Sequence, residues 1–366
     1  MRISYLFNSS TPSSNPSSIQ VVNTCGALAS LLHDVKLVVP NTGFKTSLSK
    51  FYGLKKPPKL IRLKYFDKTP FGINYYLFSI FSILYGILNK TEVYITRNLF
   101  TLFLLNILKK KTIVEVHHNI DNEGRLVKFL YRNCDVFNKK NILKVIAITN
   151  PVKKYLLNNY KIDKKKIQII SSASSLKFKF KKLRKKKSYN IGYFGSLDQS
   201  KGSNFIIDLS KVDKHNNYFI YGGLKEEVIK LKKNISKNLK IYPRVPYSKI
   251  RENMSKMDIL LMPSNPKKLK SLGGVGNIAK FTSPLKLFDY LASGKLIISS
   301  NLKVFNEIIK DKQNCIIADK LDTKSWVKEI NKISSNLIKV NKIKKNAFDL
   351  SKKFTYLKRV KKIMDI

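Results

Sequence analysis

Acidic residues are scarce in this chain. Its 366 residues hold 23 Asp and Glu against 71 Lys and Arg, a formal net charge of +48. The three cysteines, Cys25, Cys134 and Cys315, lie far apart and form no CxxC pair. A disulfide framework and a cysteine metal site are therefore not expected, and a reducing compartment is the default. No secretory signal is read at the N-terminus, where the apolar run of residues 3–7 is too short and a polar loop follows. No strand is followed by GxGxxG, and no GKS or GKT completes a Walker loop, which argues against nucleoside-triphosphate hydrolysis. The basic residues are spread along the whole length with Asn and Ile between them. Basic blocks interleaved with aromatics are missing, so specific nucleic-acid recognition is not expected. The charge still favours polyanionic partners: nucleic acid, an anionic membrane surface or a phosphorylated substrate.

What is present is globular: 43% hydrophobic and 26% charged residues, in a length sufficient for two domains with separate cores. Residues 71–88 are uncharged and mostly apolar, about the minimum for a membrane span. They include Gly72, Asn74, Ser79, Ser82 and Gly86 and run straight into a strand-like stretch, which a buried helix of an α/β domain explains better. In the first half, strands are read at 2–7, 35–39, 93–96, 112–116, 145–149 and 167–170. Helices are read at 19–32, 71–88, 125–137 and 151–160, while 43–68 gives no clear pattern. Such alternation argues a parallel sheet covered on both faces. The pattern breaks at 171–188, nearly solid lysine and apolar residues, read as a linker. A second series then begins: strands at 189–195, 218–221, 239–242, 258–262, 297–299 and 315–318, with helices at 204–209, 246–257, 323–333 and 340–363. The expected boundaries are 1–170 and 189–340 for the two domains, with 341–366 as a C-terminal helix that packs back on the first.

In doubly wound sheets, ligands bind at the carboxyl ends of the strands. Gly195, Ser196, Lys201 and Gly202 sit there after an apolar strand, and Gly222 ends the next one. Glycine allows close backbone approach, and Lys201 offers a flexible point charge for phosphate. Residues 263–282 form a loop containing Gly273, Gly274 and Gly276. After it, residues 283–294 read as a short helix with Ser283 as N-cap, Pro284 in the first helical position and Gly294 as the left-handed stop. Leu285, Phe288, Leu291 and Ala292 make its core face. Lys286 and Asp289, three apart, share one side. This segment serves equally as a capped core helix or as a helix N-terminus holding a phosphate and a sugar hydroxyl. His117 and His118 follow a strand of the first half, as structural or functional residues. No His, Cys or Asp cluster at ligand spacing accompanies them, so no metal is expected.

Several segments occur together in an order that resembles glycosyltransferase family 4. They are residues 193–197 with Lys201 and Gly202, 219–223, 257–263, 283–294 and 306–309, preceded by 115–117 and 146–156. The resemblance implies a GT-B fold: two Rossmann-like doubly wound domains facing a central cleft, the acceptor on the N-terminal one and the nucleotide-sugar donor on the C-terminal one. It further implies a metal-independent, retaining hexosyltransferase acting in cell-surface polysaccharide or lipid-linked glycan synthesis. The protein would be cytoplasmic and peripheral on the inner membrane face, with a glycan or lipid-linked acceptor. Among the site residues, Asp289 matches the acid that holds the ribose hydroxyls, Lys201 the lysine on the diphosphate, and His117 the histidine near the sugar. Gly195, Ser196, Gly222 and Lys286 would line the donor, and the amides after Ser283, beginning at Leu285, would contact phosphate and sugar. Three positions depart from the family pattern. Phe281 stands where the first of two glutamates is common, Ser196 where an arginine often lies, and the N-terminal loop is rich in Ser and Pro. The alternatives are a polyanion-binding protein on a degenerate transferase fold and a nucleotide-sugar epimerase of the same fold.

Overall fold

The computed structural model describes residues 1–43, 46–65, 72–232, 235–270, 276–318 and 320–365. Phe71, Gly273 and Gly274 of the stretches read above lie outside these. The chain divides into two compact units, Met1–Ser172 with Tyr356–Ile366, and Ala173–Thr355.

The first unit runs β1 (Arg2–Leu6), α1 (Pro16–Ser30), β2 (Asp34–Pro40), α2 (Leu48–Tyr52), β3 (Lys59–Leu63), α3 (Ile73–Leu88), β4 (Val93–Thr96), α4 (Leu99–Ile107), β5 (Thr112–Val116), α5 (Arg125–Asn133), β6 (Ile142–Ala147), α6 (Asn150–Asn159) and β7 (Ile167–Ile169). Its sheet is parallel, in the order β3-β2-β1-β4-β5-β6-β7. Crossover helices cover both faces, so the central strands read as continuous apolar runs. In β5 all five residues are buried, Glu115 among them. The structure adds α2 and β3 inside the stretch without a clear pattern. It also changes the account of α3. This helix buries Phe78, Ser79, Ser82, Ile83 and Gly86 but leaves Ile80, Phe81, Leu84 and Leu88 at least 40% exposed. It is a half-covered helix, because Gly86 and the two serines make a small-residue face that fits the sheet while the larger residues point away. The added Cβ of a Gly86 substitution would fall 2.5 Å from the Tyr94 ring.

The second unit comprises β8 (Asn190–Phe194), α7 (Ser203–Val212), β9 (Asn217–Tyr221), α8 (Lys225–Lys232), β10 (Leu239–Tyr242), α9 (Tyr247–Ser255), β11 (Ile259–Met262), α10 (Leu285–Ser293), β12 (Leu296–Ser300), β13 (Ile316–Ala318), α11 (Thr323–Asn331) and α12 (Leu337–Ser351). Its parallel sheet has the order β10-β9-β8-β11-β12-β13. Alternate residues feed two cores. Ile191, Tyr193, Tyr218, Ile220, Leu261 and Ile298 face Trp326 and Ile206. Phe194, Tyr221, Leu260, Met262 and Ile297 face Leu287, Phe288 and Leu291 of α10. Truncating one such aliphatic residue to alanine costs about 2–5 kcal/mol.

The Lys-rich stretch alternates in burial: Leu176, Phe178 and Leu183 pack against the second unit while the lysines between them stay exposed. Leu183 exchanges both backbone hydrogen bonds with the Asn341 amide, at 2.6 and 3.0 Å. The terminal helix expected at 340–363 is two helices, α12 and α13 (Tyr356–Met364). The break lies where Phe354 turns in to pack on Phe288, ring centroids 5.1 Å apart, and Thr355 bridges to Ser174. Beyond it α13 belongs to the first unit and packs along α1.

Candidate active site

In the second unit, the turn after β8 is built by packing. Gly222 lies so close to Gly195 that an added Cβ would stand 1.6 Å from the Gly195 carbonyl oxygen. The Tyr193 hydroxyl donates to the Ser196 carbonyl at 3.0 Å and pins the turn from below. Asp198 accepts from the amide of Ser200 at 2.8 Å, starting the short 3₁₀ turn of Gln199–Lys201. Gly202 ends that turn at φ +86, where the Pro263 carbonyl leaves no room for a side chain. Lys201 is thereby held at the strand end. Its burial lowers its pKa, with Asp198 opposing and Arg244 reinforcing the shift. Arg244 is a cation that sequence reasoning missed. Its amide donates to the Gly223 carbonyl at 3.1 Å, beside the strand that Gly222 ends.

Helix α10 is tied to the same strand end, because the Phe194 amide donates to the Tyr290 hydroxyl at 2.8 Å. Its start differs from the expectation. Pro284, with ψ 131, is the N-cap, and the first helical residue is Leu285. Proline biases the preceding residue away from helical angles, so Ser283 is left one position outside and does not cap. The Pro284 carbonyl accepts from the Leu287 amide at 3.0 Å. The amides of Leu285 and Lys286 make no hydrogen bond among the described residues, as the first turn of a helix leaves them. Gly294 is the left-handed stop at φ 63, and Leu285, Phe288, Leu291 and Ala292 are buried as the pattern implied.

The two charged residues of α10 go separate ways. Lys286 lays its ammonium over the Tyr193 ring, 4.4 Å from the centroid. Its Nζ is closed off from solvent without a hydrogen-bond partner among the described residues. Burial, and then the nearby Lys201, pull its pKa down to about 7. Asp289 accepts through Oδ1 from Ser174 Oγ at 2.5 Å and from the Tyr247 hydroxyl at 2.9 Å. Burial pushes its carboxyl up to about 7 against those two hydrogen bonds. Oδ2 has no partner among the described residues. The Ser196 hydroxyl is likewise buried without one. Phe281 is half-buried in the preceding loop, its amide on the Ile278 carbonyl at 3.0 Å. The second unit thus collects Lys201, Lys286 and the opening amides of α10 at its strand ends, with Asp289 one helical turn further on.

In the first unit, His117 follows β5 and its Nε2 lies 3.1 Å from Glu115 Oε2. Burial, with the Arg97 charge adding, lowers the imidazole to about 3 despite Glu115. It is therefore neutral, Nε2–H donates to Glu115, and Nδ1 is left as an acceptor. Glu115 is itself gripped by Arg359 of α13, Nη1 to Oε1 at 3.2 Å and Nη2 to Oε2 at 2.8 Å. Although burial works against ionisation, Arg359 and His117 hold the Glu115 carboxyl far below its usual range. Arg359 also donates to Thr24 Oγ1 at 3.0 Å and to the Ser171 carbonyl at 3.2 Å. His118 is drawn aside to Glu123, 2.7 Å away. No group of three or more His, Cys, Asp or Glu able to hold a metal exists among the described residues. Arg97, which directly follows a strand, had a positional cue in the sequence; Arg359, one cation among many in its helix, had none.

Two parallel sheets of strand order 3-2-1-4-5-6, the first with a seventh strand, are Rossmann-like domains, and their succession is the GT-B fold of glycosyltransferases. Residues 174–350 match the model of the family described as Glycosyl transferases group 1, so the second unit is a domain of that family. The fold is shared at low identity with a sucrose-phosphate synthase from Thermosynechococcus elongatus (TM-score 0.72, 13% identity, 99% of this chain and 97% of that one). It is shared too with the Anabaena protein HepE, solved with UDP-glucose (0.71, 12%, 99% and 98%). A third is a glycosyltransferase from Rickettsia africae (0.67, 17%, 99% and 96%). No curated protein sequence matches the chain significantly.

Proposed function

We propose that this protein transfers a sugar from a nucleotide-sugar to a glycan or lipid-linked acceptor, with retention at the anomeric carbon and without a metal. The observation that carries the reading is Lys286, a buried ammonium without an anionic partner among the described residues, beside Lys201 and the opening amides of α10, which are unpaired among those same residues. A diphosphate supplies the charge this arrangement needs. The bond from the anomeric carbon to the phosphate oxygen breaks while the acceptor oxygen bonds the same face. The acceptor proton passes to the departing phosphate oxygen. Lys201, Lys286 and the helix amides stabilise the charge that builds on that leaving group. Asp289 Oδ2 accepts from a ribose hydroxyl, and neutral His117 offers Nδ1 to a sugar hydroxyl. The HepE complex with UDP-glucose shows that a protein of this fold takes such a donor.

Incubation with UDP-, GDP- and ADP-sugars tests the reading. One of them should release its nucleoside diphosphate and raise the melting temperature. Lys201→Ala should slow turnover by about 30-fold or more, the ~2 kcal/mol of one lost charge-stabilising contact. Binding of nucleic acid with no response to any nucleotide-sugar would favour a polyanion-binding protein instead.

A place on the inner membrane face belongs to the same proposal. It is supported by the net charge of +48 and by the exposed apolar residues of α3. No helix among the described residues is long and apolar enough to cross a membrane. Failure to sediment with anionic vesicles at low salt would remove this part alone.

A further inference from the structure

The first unit holds a half-buried cation, Arg97, that the transfer chemistry does not use. Arg97 directly follows β4, and its backbone is fixed on both sides. Thr96 Oγ1 donates to the Leu6 carbonyl at 3.2 Å and accepts from the Asn98 amide at 3.0 Å. Asn98 in turn caps α4 through the Thr101 amide at 3.0 Å. Yet the Arg97 guanidinium makes no hydrogen bond or ion pair with any described residue, and Nη1 is sealed from solvent. Glu115 does not hydrogen-bond it; that carboxylate is engaged by Arg359 and His117 instead. The Tyr5 hydroxyl is a second buried polar atom without a hydrogen-bond partner among the described residues, in the electrostatic reach of Arg97, Glu115 and Arg359. With His117 neutral, two guanidiniums face one carboxylate, a net charge of one positive unit. Leaving such a group buried and unpaired costs several kcal/mol, and an unsatisfied buried donor in a folded protein asks for a specific reason.

Arg97, Leu99, Glu115, Val116, His117 and His118 line a recess of about 30 Å³. A single water needs roughly 10–15 Å³ of such space. The recess therefore has room for the oxygens of one small group. We propose that it is a seat for a single monoanionic oxyanion, a carboxylate or phosphodiester, carried by the molecule that the first unit binds. One negative charge balances the site, whereas a phosphate dianion would overcharge it. The seat is built from the first unit alone and stands whether or not the chain transfers sugars.

The chain has four histidines, so the His117 imidazole can be followed by NMR in histidine-labelled full-length protein and assigned with His117→Gln. Acetate and dimethyl phosphate are titrated separately at constant ionic strength, with chloride as the balance. One or both should shift the His117 signal saturably, and the one that saturates at lower concentration identifies the source of the oxyanion. Arg97→Met should abolish the saturable shift while melting in chloride at or above the wild-type temperature. Arg97→Lys, which keeps the charge if the methionine variant fails to fold, should weaken binding at least fivefold. The proposal is overturned by the absence of a saturable shift with either anion, by an unchanged shift in the Arg97 variants, or by an Arg97→Met protein that folds but melts well below wild type in chloride.

Discussion

Replacing Lys286 with methionine should stabilise the second unit and impair its phosphate site. Methionine keeps the unbranched volume over the Tyr193 ring and discards an ammonium that has no hydrogen-bond partner among the described residues. The folded lysine titrates near 7 against 10.5 when free. Below pH 7 both folded and unfolded chains carry the charge, and the burial cost applies in full. Between 7 and 10.5 the unfolded chain still holds a proton that the folded chain has lost, so stability rises with pH and the cost is gone above 10.5. At about 1.4 kcal/mol per pH unit, the shift sets an upper bound of ~4–5 kcal/mol at pH 6. The aromatic face returns about 0.5–2 kcal/mol of this, and a net gain of ~2 kcal/mol or more remains for the methionine variant. For a domain of 150–250 residues, that is roughly 4–8 °C in melting temperature. The gain should shrink as the pH is raised from 6 to 10. Nucleoside diphosphate affinity should move the other way, falling about tenfold or more with the loss of a charge-assisted contact. In the wild type it should weaken as pH rises through 7, because the complex favours the protonated lysine. Scanning calorimetry and titration calorimetry on both proteins at pH 6 and 9 measure the two effects. A lower melting temperature for Lys286→Met at pH 6, or an unchanged diphosphate affinity, would refute the reasoning.

Asp289→Asn should likewise stabilise the second unit above pH 7 and leave it unchanged below about pH 4. The folded carboxyl titrates near 7 rather than 3.8, so its cost appears as pH rises between those values. Melting curves at pH 4 and 8 check the sign, and weaker nucleotide binding should accompany the gain. In the first unit, His117 is held neutral down to about 3 while a free histidine protonates near 6.5. Stability should therefore fall as pH drops from 6.5, and further below pH 4.5 as Glu115 resists protonation; acid titration by near-UV circular dichroism follows both steps. Arg359→Met strands the Glu115 carboxylate and should cost about 3–5 kcal/mol in denaturant melts, with the His117 titration moving up towards neutrality. Gly222→Ala should lower the melting temperature through a cost of about 1–3 kcal/mol, because the Gly195 turn must yield to the new methyl group.

Alternation and punctuation made most of the fold legible. Buried parallel strands announce themselves as short apolar runs, and glycine closes several of them. What escaped was structure decided by neighbours. The edge strand β3, Lys59–Leu63, carries two cations in five residues and pairs only through β2. Helix α8 has a single buried residue, Val228. The helical period runs on through residues 352–355, so nothing local marks the break that burial of Phe354 and the Ser174 bridge impose. The Ser283 cap failed for a similar reason: a serine before proline satisfies the pattern, yet the proline ψ decides where the helix starts.

The site was harder to read because charge in this chain carries so little information. With 71 basic residues, any functional cation has dozens of solvated look-alikes, and a lysine at helical spacing from an aspartate looks paired. Burial separates them. Lys286 ignores Asp289 and sits on an aromatic ring, while Asp289 is taken by Ser174 and Tyr247, residues 115 and 42 positions away. Arg359 and Arg97 approach the same carboxylate; one is fully bonded and the other has no partner among the described residues. Folding spends stability to hold Lys286 Nζ and Arg97 Nη1 out of water without a hydrogen-bond partner among the described residues, and a water-exposed lysine involves no such cost. That difference gives a criterion that composition cannot supply. Neutralising an exposed lysine such as Lys164 should change neither melting temperature nor nucleotide affinity, whereas neutralising Lys286 should change both in opposite directions.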